Sequence, residues 1–178
     1  MATTLPWYKE VNPTQKKALF AAWLGYVFDG FDYMLITYVL LDVQIEFNMT
    51  TTETSTLLLA AFVARPLGGA LFGSFADKYG RRLAMIVSIL VYSVGTFLCG
   101  LSSGYIWLFI FRMIVGMGMA GEYACSSSYA IESWPQHLRT KASAFLVSGF
   151  SIGNILASQV IPWVAQNYGW RVAFFIGL

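Results

Sequence analysis

Five ionisable residues lie inside stretches of the chain that are otherwise apolar and long enough to cross a lipid bilayer. They are Asp29, Asp32, Arg65, Arg112 and Glu122. A charge at the centre of a bilayer costs at least about 2.5–3.5 kcal/mol, so such residues usually face a partner or a water-filled path. Three acids and two bases on separate apolar stretches are typical of a coupling site. They favour a transporter.

The chemistry expected of these residues is an exchange of partners. Asp29 and Asp32 are three residues apart and share a helical face. Two carboxylates this close in a low-dielectric site do not easily both ionise, so one of them is expected to bind a proton. Protonation would release an arginine, whose fork of donors matches a substrate carboxylate in two parallel hydrogen bonds. A static ion-pair network that only holds the helices in place is the alternative.

Depth along the helices supports a shared site. Asp29 lies about 18 Å beyond Lys17, and Arg65 lies about 17 Å beyond Thr54 on the other side, at 1.5 Å per residue. Further polar residues, spaced to share a helical face, are Ser126 and Tyr129 after Glu122, and Ser151, Asn154 and Ser158 further along. Hydroxyl and amide groups converging on a cavity would suit a polyhydroxylated substrate, and hydrogen bonds between helices are the alternative.

Composition excludes several other classes of protein. The chain is 57% hydrophobic and 11% charged, with a mean hydropathy of +0.62, whereas a soluble domain carries about 25% charged residues. A net charge of +2 is too small to indicate nucleic acid. His137 is the only histidine, so no metal site, cofactor or enzymatic centre is expected. A channel would require a pore-lining ring of like charges, which the scattered, oppositely signed charges do not provide.

The apolar stretches predict an all-α membrane protein. A helix needs about 20 residues to cross the hydrocarbon, and the sequence provides spans at about 18–41, 55–76, 83–101, 105–131 and 142–164. A sixth stretch occupies 172–178, and seven residues rise only about 10 Å. We therefore expect a truncated sixth helix, with the C-terminal half of the protein absent from this chain.

Charges in the connecting segments predict the orientation. Alternate connections are basic, and the residues concerned are Lys9, Lys16 and Lys17, then Lys78, Arg81 and Arg82, then Arg139 and Lys141. By the positive-inside rule these segments and the N-terminus are cytoplasmic. Arg171, at the outer start of the sixth stretch, is the one exception.

Small residues recur at helical spacing within the predicted spans. The groups are Gly69 with Gly73, Gly116 with Gly118 and Gly121, and Gly149 with Gly153. Helices in lipid associate through close backbone contact, which small side chains permit. We expect tight packing at these positions, and sliding between helices during a transport cycle is compatible with it.

Three motifs carry a family resemblance. The segment from Gly73 to Arg82 resembles the signature loop of the major facilitator superfamily, G-x-x-x-D-[RK]-x-G-R-[RK]. The fourth span carries R-x-x-x-G-x-G-x-x-G from Arg112, and E-x-x-P-x-x-x-R follows from Glu132. The resemblance implies the N-terminal six-helix bundle of a twelve-helix transporter, built as a 3+3 inverted repeat. It also implies a cytoplasmic gate made of Asp77, Arg81, Arg82, Glu132 and Arg139.

Within the superfamily, the sequence Asp29-Gly30-Phe31-Asp32 looks like the D-G-[FY]-D of organic-acid:proton symporters. The runs at 116–123 and 131–135 look more particularly like bacterial sialic acid:proton symporters. This implies a monomeric, multi-pass carrier of the bacterial inner membrane that takes up N-acetylneuraminate with protons by alternating access. Another organic acid, a sugar, or a transport-inactive sensor on the same fold are the alternatives.

The resemblance also implies roles for individual residues. It pairs one of the two aspartates with Arg112, and with the exchange of partners described above we expect proton coupling by Asp29, Asp32, Arg112 and Glu122. The substrate-binding candidates are then Arg65, Tyr129, Ser151, Asn154 and Ser158.

Overall fold

The computed structural model describes residues 10–132 and 134–177, and for 129–132 it describes the backbone alone. Over these residues the secondary structure is entirely helical, which confirms the predicted fold class. The elements are α1 (Pro13–Glu46), α2 (Thr51–Tyr79), α3 (Arg81–Gly100), α4 (Tyr105–Glu132), a 3-10 turn (Gln136–Leu138), α5 (Arg139–Tyr168) and α6 (Trp170–Ile176).

Two helices begin before the predicted apolar spans because polar residues cap their first turns. Asn12 caps α1, where its backbone N–H donates to the Gln15 side chain at 2.8 Å and Pro13 occupies the first turn. Thr50 and Glu53 form the same reciprocal arrangement at the start of α2. Capping residues satisfy the free N–H groups of a first helical turn. Apolar periodicity alone therefore underestimates helix length.

Two one-residue turns connect neighbouring helices. Gly80 joins α2 to α3 with a φ of 92°, and Gly169 joins α5 to α6 with a φ of 87°. A positive φ at either position favours glycine. Each glycine follows a tyrosine and precedes an arginine by two residues. The two turns therefore repeat one motif, which the sequence analysis had not identified.

In both halves of the bundle, a glycine on one helix packs against the backbone of its partner helix. Gly30 of α1 lies against the backbone carbonyl of Phe150 in α5, and Gly116 of α4 lies against that of Ala61 in α2. A Cβ at either glycine would collide with the partner backbone. The pairing of α1 with α5 thus matches the pairing of α4 with α2, as a repeat of three helices requires.

The remaining glycine pair behaves differently. No atom lies within 4 Å of where a Cβ would stand on Gly69 or Gly73. The tight packing expected at this pair is absent from the described bundle, whereas Gly116, Gly118, Gly121, Gly149 and Gly153 are all in close contact.

The outward surface of the bundle is apolar. Side chains such as Leu41, Val63, Leu71 and Ile106 are more than 60% exposed. Within residues 10–132 and 134–177, five helices are long and apolar enough to cross a membrane. An apolar exterior with charged residues inside is the arrangement that lipid favours.

Candidate functional site

A fully buried ion pair joins α1 to α4. Arg112 Nη1 donates to Asp32 Oδ2 at 3.3 Å, and the two side chains are 2% and 1% exposed. The other oxygen of Asp32 accepts a hydrogen bond from Thr96 Oγ1 of α3 at 2.9 Å. Gly118 lets α3 and α4 approach closely enough for this, since a Cβ there would meet Tyr92. Asp32 is therefore held on both oxygens.

Asp29 lies one turn earlier on α1 and has different surroundings. It is 7% exposed, its Oδ1 has no hydrogen-bond partner, and its side chain is within hydrogen-bonding reach of Glu122 in α4. Glu122 is fully buried. Its Oε1 accepts a hydrogen bond from Ser126 at 2.6 Å, and its Oε2 has no partner. We call Asp29 and Glu122 the carboxyl pair.

Room for the carboxyl pair comes from a glycine. A Cβ on Gly25 of α1 would stand 2.5 Å from Glu122 Oε1. Without that Cβ, the Glu122 carboxyl lies directly against the α1 backbone, beside the turn that carries Asp29. The same absence of a side chain brings α1 and α4 together at this level.

Arg65 of α2 is half-buried and has no carboxylate partner within 4 Å among the described residues. Its Nη2 reaches only the sulfur of Met119, at 3.9 Å, and its Nε is buried without a partner. The guanidinium lies over the Phe62 ring, 4.9 Å from the centroid. Most of its donors are therefore available to an anion.

Arg65 and Asp29 border the same cavity, which has a volume of about 720 Å³. Its walls come from α1, α2, α4 and α5. Residues that supply ring, hydroxyl or charged groups to them include Tyr26, Asp29, Phe62, Arg65, Tyr123 and Ser151. Arg65 also borders a smaller cavity of about 210 Å³, which Arg112 lines from the other side. The cavity of about 720 Å³ has few polar groups on its walls, and both features suit a small organic molecule.

Not every predicted substrate contact reaches this space. Ser151 lines the cavity, whereas Ser158 donates to the Ile155 carbonyl of its own helix at 2.7 Å. Asn154 is half-buried, and its Oδ1 lacks a hydrogen-bond partner. Tyr129 has its side chain outside the described residues.

The predicted gate residues lie at the α2–α3 turn and around the connection from α4 to α5. Asp77 and Arg82 are exposed, and Arg81 is half-buried. Arg139 donates from Nε to the Trp134 carbonyl at 3.2 Å. The fifth member, Glu132, has its side chain outside the described residues.

Two features were missed by sequence reasoning. Thr96 completes the surroundings of Asp32, and its only sequence signal is a hydroxyl in an apolar span. Arg171 forms an ion pair with Glu46 and donates to the Ser102 carbonyl at 3.1 Å. This cluster gives Arg171 an acidic partner at the start of α6. Its signal was the acid at position 46, which is 125 residues away in the sequence.

Comparison with known proteins identifies relatives of the chain. The sequence profile of the Major Facilitator Superfamily matches residues 22–178. The sialic acid transporter NanX of Escherichia coli (strain K12) is 57% identical over 178 residues, covering 100% of this chain and 44% of that protein. The chain thus spans less than half the length of this relative.

Two solved structures share the fold. A bacterial homolog of the human lysosomal transporter Spinster, in an inward-facing and unoccupied conformation, has a TM-score of 0.79 at 23% identity, covering 93% of this chain and 40% of that one. The proton:xylose symporter XylE bound to 6-bromo-6-deoxy-D-glucose has a TM-score of 0.80 at 21% identity, covering 90% and 41% respectively.

Proposed function

The chain belongs to the major facilitator superfamily, and from that premise we propose that it forms the N-terminal half of a secondary active transporter for sialic acid. In this proposal the complete protein is a monomer of the bacterial inner membrane with a cytoplasmic N-terminus. It takes up N-acetylneuraminate with protons by alternating access. The 57% identity to an E. coli protein named as a sialic acid transporter supports the choice of substrate.

The observation that carries the proposal is Arg65. Its guanidinium has no carboxylate partner in the described part of the chain and borders a cavity of about 720 Å³. N-acetylneuraminate carries one carboxylate, which a guanidinium binds through two parallel hydrogen bonds. Hydroxyl groups from Ser151, Tyr26 and Tyr123 stand on the same walls and would meet the hydroxyl groups of the sugar.

The cytoplasmic gate belongs to the same proposal. Charges near the inner ends of α2, α3 and α5 hold the helices together while the carrier is open to the outside, and they separate when it opens inward. Individually modest ion pairs at a water-exposed surface allow such a change to reverse. Asp77, Arg81, Arg82, Glu132 and Arg139 remain predicted members of this gate.

A second candidate substrate is an aromatic or otherwise flat organic acid. Rings of Tyr26, Phe62, Tyr123 and Phe150 line the cavity, and such walls also suit a planar apolar body attached to a carboxylate. Arg65 would bind the carboxylate in the same manner.

Transport in liposomes distinguishes these candidates. The complete transporter is reconstituted in liposomes whose outside is more acidic than their inside. Uptake of radiolabelled N-acetylneuraminate is then measured. We expect accumulation that collapses when the gradient is dissipated, together with counterflow against unlabelled N-acetylneuraminate but not against a neutral hexose. Counterflow against benzoate alone would replace sialic acid with the second candidate. Binding without any counterflow would indicate a sensor.

A further inference from the structure

The charged side chains inside the described helices do not balance. Asp32 and Arg112 neutralise each other. The remaining members are the carboxyl pair and Arg65, which together carry two acids and one base. If both acids were ionised, one negative charge would be left in a space where an unpaired charge is costly. One bound proton removes the excess.

The geometry shows where a proton can bind. The two Asp32 oxygens already accept hydrogen bonds from Arg112 and Thr96. Asp29 and Glu122 each retain a buried oxygen without a partner, on carboxyls within hydrogen-bonding reach of each other. A proton on either carboxyl would supply a hydrogen-bond donor to a pair of groups that otherwise only accept. Asp29 borders the large cavity and Glu122 is fully buried, so Asp29 provides the access to water.

We propose that the carboxyl pair, Asp29 with Glu122, is the proton-binding site of the transporter, and that it holds one proton when the site is empty and two when substrate is bound. In the empty state the single negative charge of the pair is balanced by Arg65. A substrate carboxylate then takes Arg65, and a second proton from water binds the pair. Each state is neutral, and one proton is carried for each anion. This step rests on the proposed function.

Other ionisable groups surround the pair in the described bundle. The side chains that interact with it electrostatically come from four helices and are Tyr26 and Asp32 of α1, Arg65 of α2, Tyr92 of α3 and Cys125 of α4. Tyr123 of α4 packs against the ring of Tyr26. Arg65 is the one cation among them. The neighbouring α5 wall of the cavity contributes Val147, Phe150 and Ser151, none of which titrates. Proton binding by the pair is therefore opposed mainly by the charge of Arg65. A bound substrate carboxylate neutralises that charge.

The test compares two single variants with their combination. In D29N and in E122Q one carboxyl remains, so accumulation persists and its pH dependence shifts. D29N/E122Q has no acid at the site, so it exchanges labelled substrate by counterflow but does not accumulate it. A one-unit pH gradient supports about tenfold accumulation of substrate for one coupled proton. In D29N/E122Q the ratio of internal to external substrate should fall to one.

Gly25→Ala, whose methyl would displace Glu122, should shift the pH dependence of accumulation as E122Q does.

Two results would overturn the proposal. One is about tenfold accumulation by D29N/E122Q. The other is loss of accumulation in D29N alone, with E122Q unchanged at every pH, which would make Asp29 the sole proton carrier.

An infrared readout needs no substrate and separates this proposal from the proposed function. The empty wild-type transporter should show a carboxylic-acid C=O band at neutral pH that D29N/E122Q lacks. Its persistence in the double variant would contradict the carboxyl pair. A wild-type protein that shows the band but exchanges no sialic acid would contradict the choice of substrate alone.

Discussion

At the scale of single residues, the two arginines inside the apolar helices have opposite surroundings. Arg112 is 2% exposed and bound to Asp32, so removing either partner would leave an uncompensated buried charge. Arg65 has a ring face and a sulfur for neighbours, neither of which neutralises it. The first arginine is suited to hold helices together, and the second to bind an anion that arrives from water.

Substitution of Arg65 should weaken substrate binding. Charged hydrogen bonds contribute about 1.5–3 kcal/mol each, so R65Q should raise the Kd for N-acetylneuraminate by about tenfold or more. R65K keeps the charge but loses the fork and should fall between wild type and R65Q. Isothermal titration calorimetry on the purified transporter measures all three.

The matched control for Arg65 is K17Q, which removes a positive charge from the exposed start of α1, far from the cavity. Its Kd should equal that of wild type. Equal affinities of R65Q and K17Q would refute the anion-binding role.

At the scale of helices, close packing depends on which glycine faces a partner backbone. Gly116 meets the carbonyl of Ala61, whereas Gly69 faces open space. The sequence shows both at helical spacing, yet a helix has one face toward each neighbour and another toward its exterior. Spacing predicts that small residues align, and only the assembled bundle shows which stripe is in contact.

Gly116→Ala should therefore destabilise the α2–α4 contact. A methyl pressed against a backbone carbonyl has no flexible neighbour to displace, and overpacking of this kind costs about 1–3 kcal/mol. Thermal unfolding of the complete transporter in detergent should show a lowered midpoint for this variant. Gly69→Ala is the control, and its unfolding midpoint should match wild type. A midpoint lowered equally in both variants would refute the contact assignment.

At the scale of the whole molecule, the predicted orientation rests on charge and on an odd number of helices in each repeat. Three helices that begin in the cytoplasm end outside, so the next three are inverted. The turns at Gly80 and Gly169 accordingly lie at opposite ends of the bundle. Arg171 departs from the charge rule because Glu46 pairs with it.

Labelling with a membrane-impermeant maleimide checks this orientation. Cys99 and Cys125 are both buried, so the native thiols should give little background. Ser103→Cys, in the exposed connection between α3 and α4, should react in intact cells. Lys17→Cys should react only in inside-out vesicles. The reverse pattern would invert the predicted topology.

Helix number, fold class and family could be read from amino-acid order, because hydrocarbon thickness sets the length of an apolar span and the motifs are local. Residues 13–17 of α1 escaped that reading, since their helical state depends on capping by Asn12 rather than on apolarity. The five intramembrane charges were also identifiable, because each is conspicuous in an apolar stretch.

Which charge faces which partner was decided by tertiary structure alone. Asp29 and Asp32 differ by only about 60° around the helix axis, and that angle places Asp32 against Arg112 and Thr96 and Asp29 against Glu122. Ser151 and Ser158 were equivalent in the sequence, yet one lines the cavity and the other bonds to its own helix. Sequence sets the depth of a side chain through helical rise, whereas its partners depend on how neighbouring helices are rotated and packed.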